Sequence, residues 1–406
     1  METASSRSRR TILLCFIVAL IEGLDLQSAG IAAAGIRAAF NLDPAMMGWM
    51  FSASIIGLLP GAFLGGCLAD RIGRKKVLVA AVILFGLFSL WTAYASSLNS
   101  LLMARFLTGL GLGAALPNLI ALCAEAVEER QRSTAISIMY CGVPLGGATA
   151  ALVAMAAGEA WQWVFIVGGV APLAIVPLML GMLPESTAFS RQQEDVAVAR
   201  PSTLTALCGE GRTRVTLSLW VSYFFTLTVM YMLLNWLPSL LLDLGFSKPQ
   251  AGVVQMAFNI GGAIGSLAGG VLLDRYSRRP VVLSIYGGLL LALAGIGLAG
   301  NLPAMIGAGF AAGGFVMAAQ LVLYALAPAF YPTVVRVTGV GAAVAIGRLG
   351  SVSGPLVAGK ILAAGAGTAG VLTAAAPGLL VATAVILALN AGANRSLAAA
   401  PSTYPE

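Results

Sequence analysis

The chain has 406 residues, of which 59% are hydrophobic and only 10% charged, with a formal net charge of +7. A water-soluble domain carries about a quarter charged residues, so this composition excludes an ordinary soluble enzyme and places most of the chain in lipid. Histidine is absent, which argues against haem, zinc and copper sites of the usual kinds and leaves carboxylates to handle any proton.

Apolar runs of about 20 residues predict spanning helices, because lipid offers backbone groups no partner outside a helix or a closed barrel. Twelve are expected, at 11–36, 46–69, 76–96, 98–123, 133–157, 161–183, 215–241, 249–273, 280–299, 302–328, 339–362 and 370–391. The first run is too long for a signal-peptide core and lacks a cleavage pattern, so it is expected to be retained. Its Glu22 and Asp25 lie about 17 and 21 Å from the helix start at about 1.5 Å per residue. Three residues apart, they share a helix face. Carboxylates at that depth cost roughly 2.5–3.5 kcal/mol each, which marks them as candidate proton carriers, with a purely structural hydrogen-bonded pair as the alternative.

The second and third spans are joined by Asp70-Arg71-Ile72-Gly73-Arg74-Lys75. Its acid is not needed for topology, so Asp70, Arg71 and Arg74 are read as a latch, with Glu125 and Arg132 as candidate partners. Arg105 of the fourth span lies about 10 Å below the opposite surface, close to the depth of Asp25, and an Arg105–Asp25 pair is expected. The stretch Pro184–Arg214 holds Pro201 and several charges. It predicts a flexible cytoplasmic linker (184–214) between a first bundle (1–183) and a second (215–406).

In the seventh span Tyr223, Tyr231, Asn235 and Trp236, and in the tenth Gln320 and Tyr324, supply the aromatic walls and polar contacts that a phenolic ligand needs. Membrane-interface anchoring is the alternative for the aromatic residues. Asp274 and Arg278 sit between the eighth and ninth spans as a second latch. Arg348 of the eleventh span lies about 14 Å deep, near the midplane. An arginine there needs an anion: a ligand carboxylate held bidentately, Glu22, or helix-end carbonyls. Gly354-Pro355-Leu356-Val357-Ala358-Gly359-Lys360 nearly spells a phosphate loop, but Ile361 follows and the setting is an apolar helix, so no ATP site is expected. The five cysteines, Cys15, Cys67, Cys123, Cys141 and Cys208, have no metal-ligand or CxxC spacing and read as small fillers. No metal or cofactor is expected.

Most of the 23 basic residues fall on the N-terminal side of this arrangement, and only Arg37, Lys248 and Lys360 fall on the other. The positive-inside rule then puts both termini in the cytoplasm and accounts for the net charge without nucleic acid. The chain also repeats itself. Gly66–Lys75 recurs as Gly270–Arg279, 204 residues later. At the same offset Arg132-Ser133-Thr134-Ala135 meets Arg336-Val337-Thr338-Gly339, and Gly146 meets Gly350. A parallel repeat of this size predicts two related bundles rocking about a site between them. The expected fold is thus an all-α membrane protein of twelve transmembrane helices in two pseudo-symmetric six-helix bundles.

Asp70-Arg71-x-Gly73-Arg74-Lys75, Arg105-x-x-x-Gly109-x-x-x-Gly113 and Gly142-x-Pro144-x-Gly146-Gly147 together resemble motifs of the major facilitator superfamily. The run Ile21–Gly30 resembles its aromatic acid:proton symporter family, with Glu22 where that family more often has Asp. Gly111–Leu122, Met139–Pro144, Asn235–Pro238 and Val344–Gly350 resemble the branch that transports 3-(3-hydroxyphenyl)propionate. The resemblance implies proton-coupled uptake of a hydroxylated aromatic acid across a bacterial inner membrane. It implies proton coupling at Glu22 and Asp25, and substrate binding by Arg105, Asn118, Tyr231, Asn235, Gln320, Tyr324 and Arg348. Expected partners are the aromatic carboxylate, the proton and the lipid bilayer, with the protein a monomer. A proton-driven exporter of aromatic compounds and a transporter-like sensor of aromatic acids are the alternatives.

Overall fold

A computed structural model describes residues 4–185, 207, 209, 212–331 and 335–398. Most of the expected linker lies outside the described residues. Among the described residues twelve helices are long and apolar enough to cross a membrane.

The chain runs α1 (Ala4–Ile31), α2 (Ala33–Phe40), α3 (Pro44–Ile72), α4 (Arg74–Ala93), α5 (Leu98–Glu125), α6 (Arg132–Tyr140), α7 (Gly142–Ala157) and α8 (Gln162–Met182). It continues through α9 (Thr213–Asp243), α10 (Lys248–Arg275), α11 (Arg278–Leu298), α12 (Leu302–Leu326), α13 (Arg336–Ala363) and α14 (Gly367–Ala398). The first and fifth expected spans are each interrupted. A turn at Ala32 separates α1 from α2, and Cys141 separates α6 from α7. At the second break the cause is visible. Pro144 has no N–H to give the carbonyl of Tyr140, four residues earlier.

The 204-residue repeat extends to structure. Helices α3 and α5 start under side-chain caps, Asp43 accepting from the Met46 amide at 2.7 Å and Ser97 from the Ser100 amide at 3.3 Å. Their equivalents 204 positions on, Ser247 and Asn301, cap α10 and α12, from the Gln250 amide at 3.4 Å and the Ala304 amide at 3.0 Å. Each cap satisfies a backbone donor that the helix leaves open.

Packing repeats as well. A Cβ added at Gly57 would lie 2.1 Å from the Phe106 carbonyl oxygen, and one at Gly109 1.9 Å from that of Ser54. Gly261 and Gly313 stand in the same relation to Phe310 and Phe258, at 2.0 and 1.8 Å. Gly146 against Leu20 (1.9 Å) is matched by Gly350 against Phe224 (2.2 Å). Within a membrane, where apolar burial does not drive helix association, such backbone-on-backbone approaches hold helices together. The two bundles are therefore built on one packing plan, α3 on α5 and α1 on α7 in the first, α10 on α12 and α9 on α13 in the second.

Between the bundles, the face away from the N-terminus, here the distal face, is closed. Ser52 donates to the Val352 carbonyl at 2.9 Å. The Phe51 and Trp236 rings meet edge-on at 5.0 Å, and Trp236 Nε1 donates to the Pro355 carbonyl at 3.0 Å. Gly48 lies against Pro355, Gly359 against Pro44 and Gly252 against Met155. Lys248 and Glu159 pair at the rim. Toward the opposite, N-terminal face, Ile138 and Leu267 are exposed.

Candidate functional site

Two acidic residues of α1 have different surroundings. Asp25 is sealed inside the first bundle. Its Oδ1 accepts from Arg105 Nη1 of α5 at 3.0 Å, with both side chains at most 1% exposed. The Arg105 guanidinium also lies 5.4 Å above the Phe165 ring of α8. Ser89 of α4, which donates to the Phe165 carbonyl at 3.2 Å, borders the Asp25 carboxylate. The expected Arg105–Asp25 pair is present, but it sits among the helices of one bundle. Asp25 Oδ2 and Arg105 Nε have no partner there.

Glu22, one turn earlier, faces the second bundle. It is 5% exposed, its Oε2 has no hydrogen-bond partner, and the cation in its surroundings is Arg348 of α13. Half-buried Arg348 donates from Nη1 to the Tyr231 hydroxyl of α9 at 2.8 Å. From α12, Gln320 Nε2 donates to the Tyr324 hydroxyl at 3.3 Å, and Gln320 Oε1 is unpartnered. The Tyr324 ring packs on that of Tyr223 at 5.7 Å. Glu22, Tyr231, Gln320, Tyr324 and Arg348 are thereby gathered on the bundle seam.

Other expected residues are engaged locally. Asn118 Nδ2 bonds the Ala114 carbonyl and Asn235 Nδ2 the Tyr231 carbonyl, each at 2.8 Å and four residues back. Gly30 of α1 backs directly onto Asn235. Of the latch residues, Arg74 pairs with Glu125 across α4 and α5. Asp70, Arg71, Arg132 and Arg278 are exposed, and the Asp274 side chain lies outside the described residues. The α3–α4 turn rests on Gly73, whose φ of 100° favours glycine. Glu185 fills the space beside it and accepts from the Lys75 amide at 3.0 Å. In the second copy Ser277 occupies the equivalent position, with φ of −61°.

Three groups escaped the sequence reading. Gln27, Gln255 and Asn259 form a buried carboxamide cluster across the seam. Gln27 Nε2 donates to Asn259 Oδ1 at 2.8 Å, and Gln255 Nε2 donates to Gln27 Oε1 at 3.1 Å. Two amides four residues apart on an apolar helix were the available sign. Tyr140, at the end of α6, shares the surroundings of Tyr324, Tyr231, Arg348 and Glu22. Glu185, which braces the α3–α4 turn, had no sequence signal beyond its charge.

Buried charges facing one another across a seam between two repeated bundles define a membrane transporter, not an enzyme. The match of the Major Facilitator Superfamily model to residues 15–240 and 219–403 agrees with that class. The chain belongs to this superfamily and, within it, to the aromatic acid:proton symporter family. It is 54% identical to the 3-(3-hydroxyphenyl)propionate transporter of Escherichia coli, over 97% of this chain and 96% of that protein. It is 36% identical to a gallate transporter of Pseudomonas putida (96% and 93% covered) and 35% identical to the 4-hydroxybenzoate transporter PcaK of the same organism (90% and 88%). Among solved structures, a D-xylose–proton symporter superposes with a TM-score of 0.76 over 93% of this chain and 96% of that one. A bacterial homologue of the lysosomal transporter Spinster, inward-facing and unoccupied, superposes with a TM-score of 0.68 over 95% and 96%. Both are 18% identical and bear on the fold alone.

Proposed function

We propose that the protein imports a hydroxylated aromatic acid of the 3-(3-hydroxyphenyl)propionate type together with a proton, by alternating access. The observation that carries this reading is the meeting of Glu22 and Arg348 across the seam, one from each bundle. A ligand carboxylate docks on Arg348, whose fork matches it, while Tyr231 and Tyr324 wall the ring. Glu22 takes the proton. When Glu22 is neutral, Arg348 lacks a counter-charge and accepts the anion. When the substrate leaves, the proton follows and Glu22 again balances Arg348. The seam is thus free of net charge both when empty and when loaded with substrate and proton, and charged only when one of the two is bound, so the bundles rock in the empty and fully loaded states. Asp25 and Arg105 couple α1 to the rest of the first bundle, so a change at Glu22 moves the bundle as a body.

The basic N-terminal face is read as cytoplasmic, in the inner membrane of a bacterium, with both termini inside. The closed distal seam then corresponds to a conformation open toward the cytoplasm. Arg74–Glu125 and the loops bearing Asp70 and Asp274 act as latches on that side. Residues 184–214 join the bundles as a linker, and one chain holds the whole pathway, which fits a monomer.

Uptake of radiolabelled 3-(3-hydroxyphenyl)propionate into energised vesicles tests the reading. Accumulation should collapse with a protonophore. Accumulation that ignores the protonophore defeats the proton-coupled reading, and proton-driven loss from preloaded vesicles would establish the exporter.

A further inference from the structure

The proposed substrate carries a carboxylate and a ring hydroxyl, and the roles so far account only for the carboxylate. We propose that Tyr140 reads the ring hydroxyl and so sets selectivity for hydroxylated over unsubstituted aromatic acids. This inference rests on the function proposed above.

Three observations lead to Tyr140. It is half-buried on the first bundle, three residues before Val143, whose carbonyl oxygen lies 1.9 Å from where a Cβ on Gly23, the neighbour of Glu22, would stand, and its surroundings take in Glu22, Arg348, Tyr231 and Tyr324. A carboxylate held by Arg348 on the second bundle therefore leaves the ring to reach across the seam toward it. Next, the neighbouring hydroxyls each already accept one hydrogen bond, that of Tyr231 from Arg348 and that of Tyr324 from Gln320, and keep an O–H to donate. Among the described residues no hydrogen bond engages the Tyr140 hydroxyl, so it retains both its donor and its acceptor capacity for a phenol. The third is the backbone. Tyr140 ends α6, Cys141 interrupts the span and Pro144 gives no amide to the Tyr140 carbonyl. The break leaves the Tyr140 carbonyl without its usual helical donor.

The consequence is asymmetric. A site built to hydrogen-bond a ligand hydroxyl discriminates strongly against the analogue that lacks it, because its own polar groups are then left unpaired. Tyr140→Phe removes the hydroxyl and keeps the ring, so the packing of the ring is preserved.

The test is equilibrium binding to the purified full-length protein in lipid nanodiscs, with 3-(3-hydroxyphenyl)propionate and 3-phenylpropionate as the two probes. The wild type should prefer the hydroxylated acid. In Tyr140→Phe its affinity should fall about tenfold, the scale of one buried hydrogen bond, while affinity for 3-phenylpropionate stays within about twofold. Equal loss for both acids, or no loss for either, in Tyr140→Phe overturns the inference and leaves the function reading standing. If the wild type binds neither acid, both fall.

Discussion

Gln27 of α1 and Asn259 of α10 are joined by a 2.8 Å hydrogen bond across the bundle seam, with both side chains essentially inaccessible to solvent. Gln255 ties into the same pair from one turn away. Rocking of the bundles must break this cluster, and each buried amide left unpaired costs about 1–3 kcal/mol. Asn259→Ala should therefore loosen distal closure. In a background carrying Ser52→Cys, a buried seam position, labelling by a membrane-impermeant maleimide from the distal side should speed up about tenfold. An unchanged rate would mean that the cluster has no part in holding the seam.

Glu22→Gln keeps shape and hydrogen bonding and fixes the group in a neutral form. Concentrative uptake should be lost, while substrate binding and counterflow exchange persist, since exchange needs no net proton movement. Persistence of pH-driven accumulation would pass the coupling role to Asp25.

Arg348→Lys retains the charge but not the fork. Affinity for the acid should drop about tenfold, with the amide of the same acid unaffected. Equal effects on both ligands, measured by calorimetry, would make Arg348 structural.

The Asp25–Arg105 pair is fully enclosed, so removing one partner strands a charge, at a cost of about 3–5 kcal/mol. Arg105→Met should lower the thermal unfolding midpoint markedly. Combining it with Asp25→Asn should recover much of the loss, as a double-mutant cycle would reveal.

Much of the fold was legible. Twelve apolar runs, the repeated loop and the basic asymmetry are composition-level signals that the bilayer enforces. The pairing of Arg105 with Asp25 followed from matching their depths. What the sequence concealed depends on rotation about helix axes. Glu22 and Asp25 were expected to act alike from one face, yet one turn of α1 sends Glu22 to the seam and Asp25 into the bundle. Nor does the sequence reveal that Asn118 and Asn235 each give one amide N–H to their own helix four residues back. The break after Tyr140 traces to Pro144, but the position of Tyr140 beside Arg348 required the fold.

Exchanging the charges of Arg74 and Glu125 offers a test of the latch. Arg74→Glu should slow transport without changing substrate affinity, because it acts on the conformational equilibrium at a distance from the site. Adding Glu125→Arg should restore the rate. If affinity falls in step with the rate, the pair supports the site instead of the transition.

The glycine approaches at Gly57, Gly109, Gly146 and their repeats leave no room even for a methyl group inside a bundle. Mutational tolerance should therefore divide sharply in this protein. Positions at the intrabundle crossings admit almost no change, whereas Tyr140 and Tyr324 are only half-buried and can be exchanged without disturbing the rigid bodies that carry them. A lineage of such proteins can acquire new aromatic cargoes by editing a handful of side chains, because the moving parts and the recognition surface are separate inheritances.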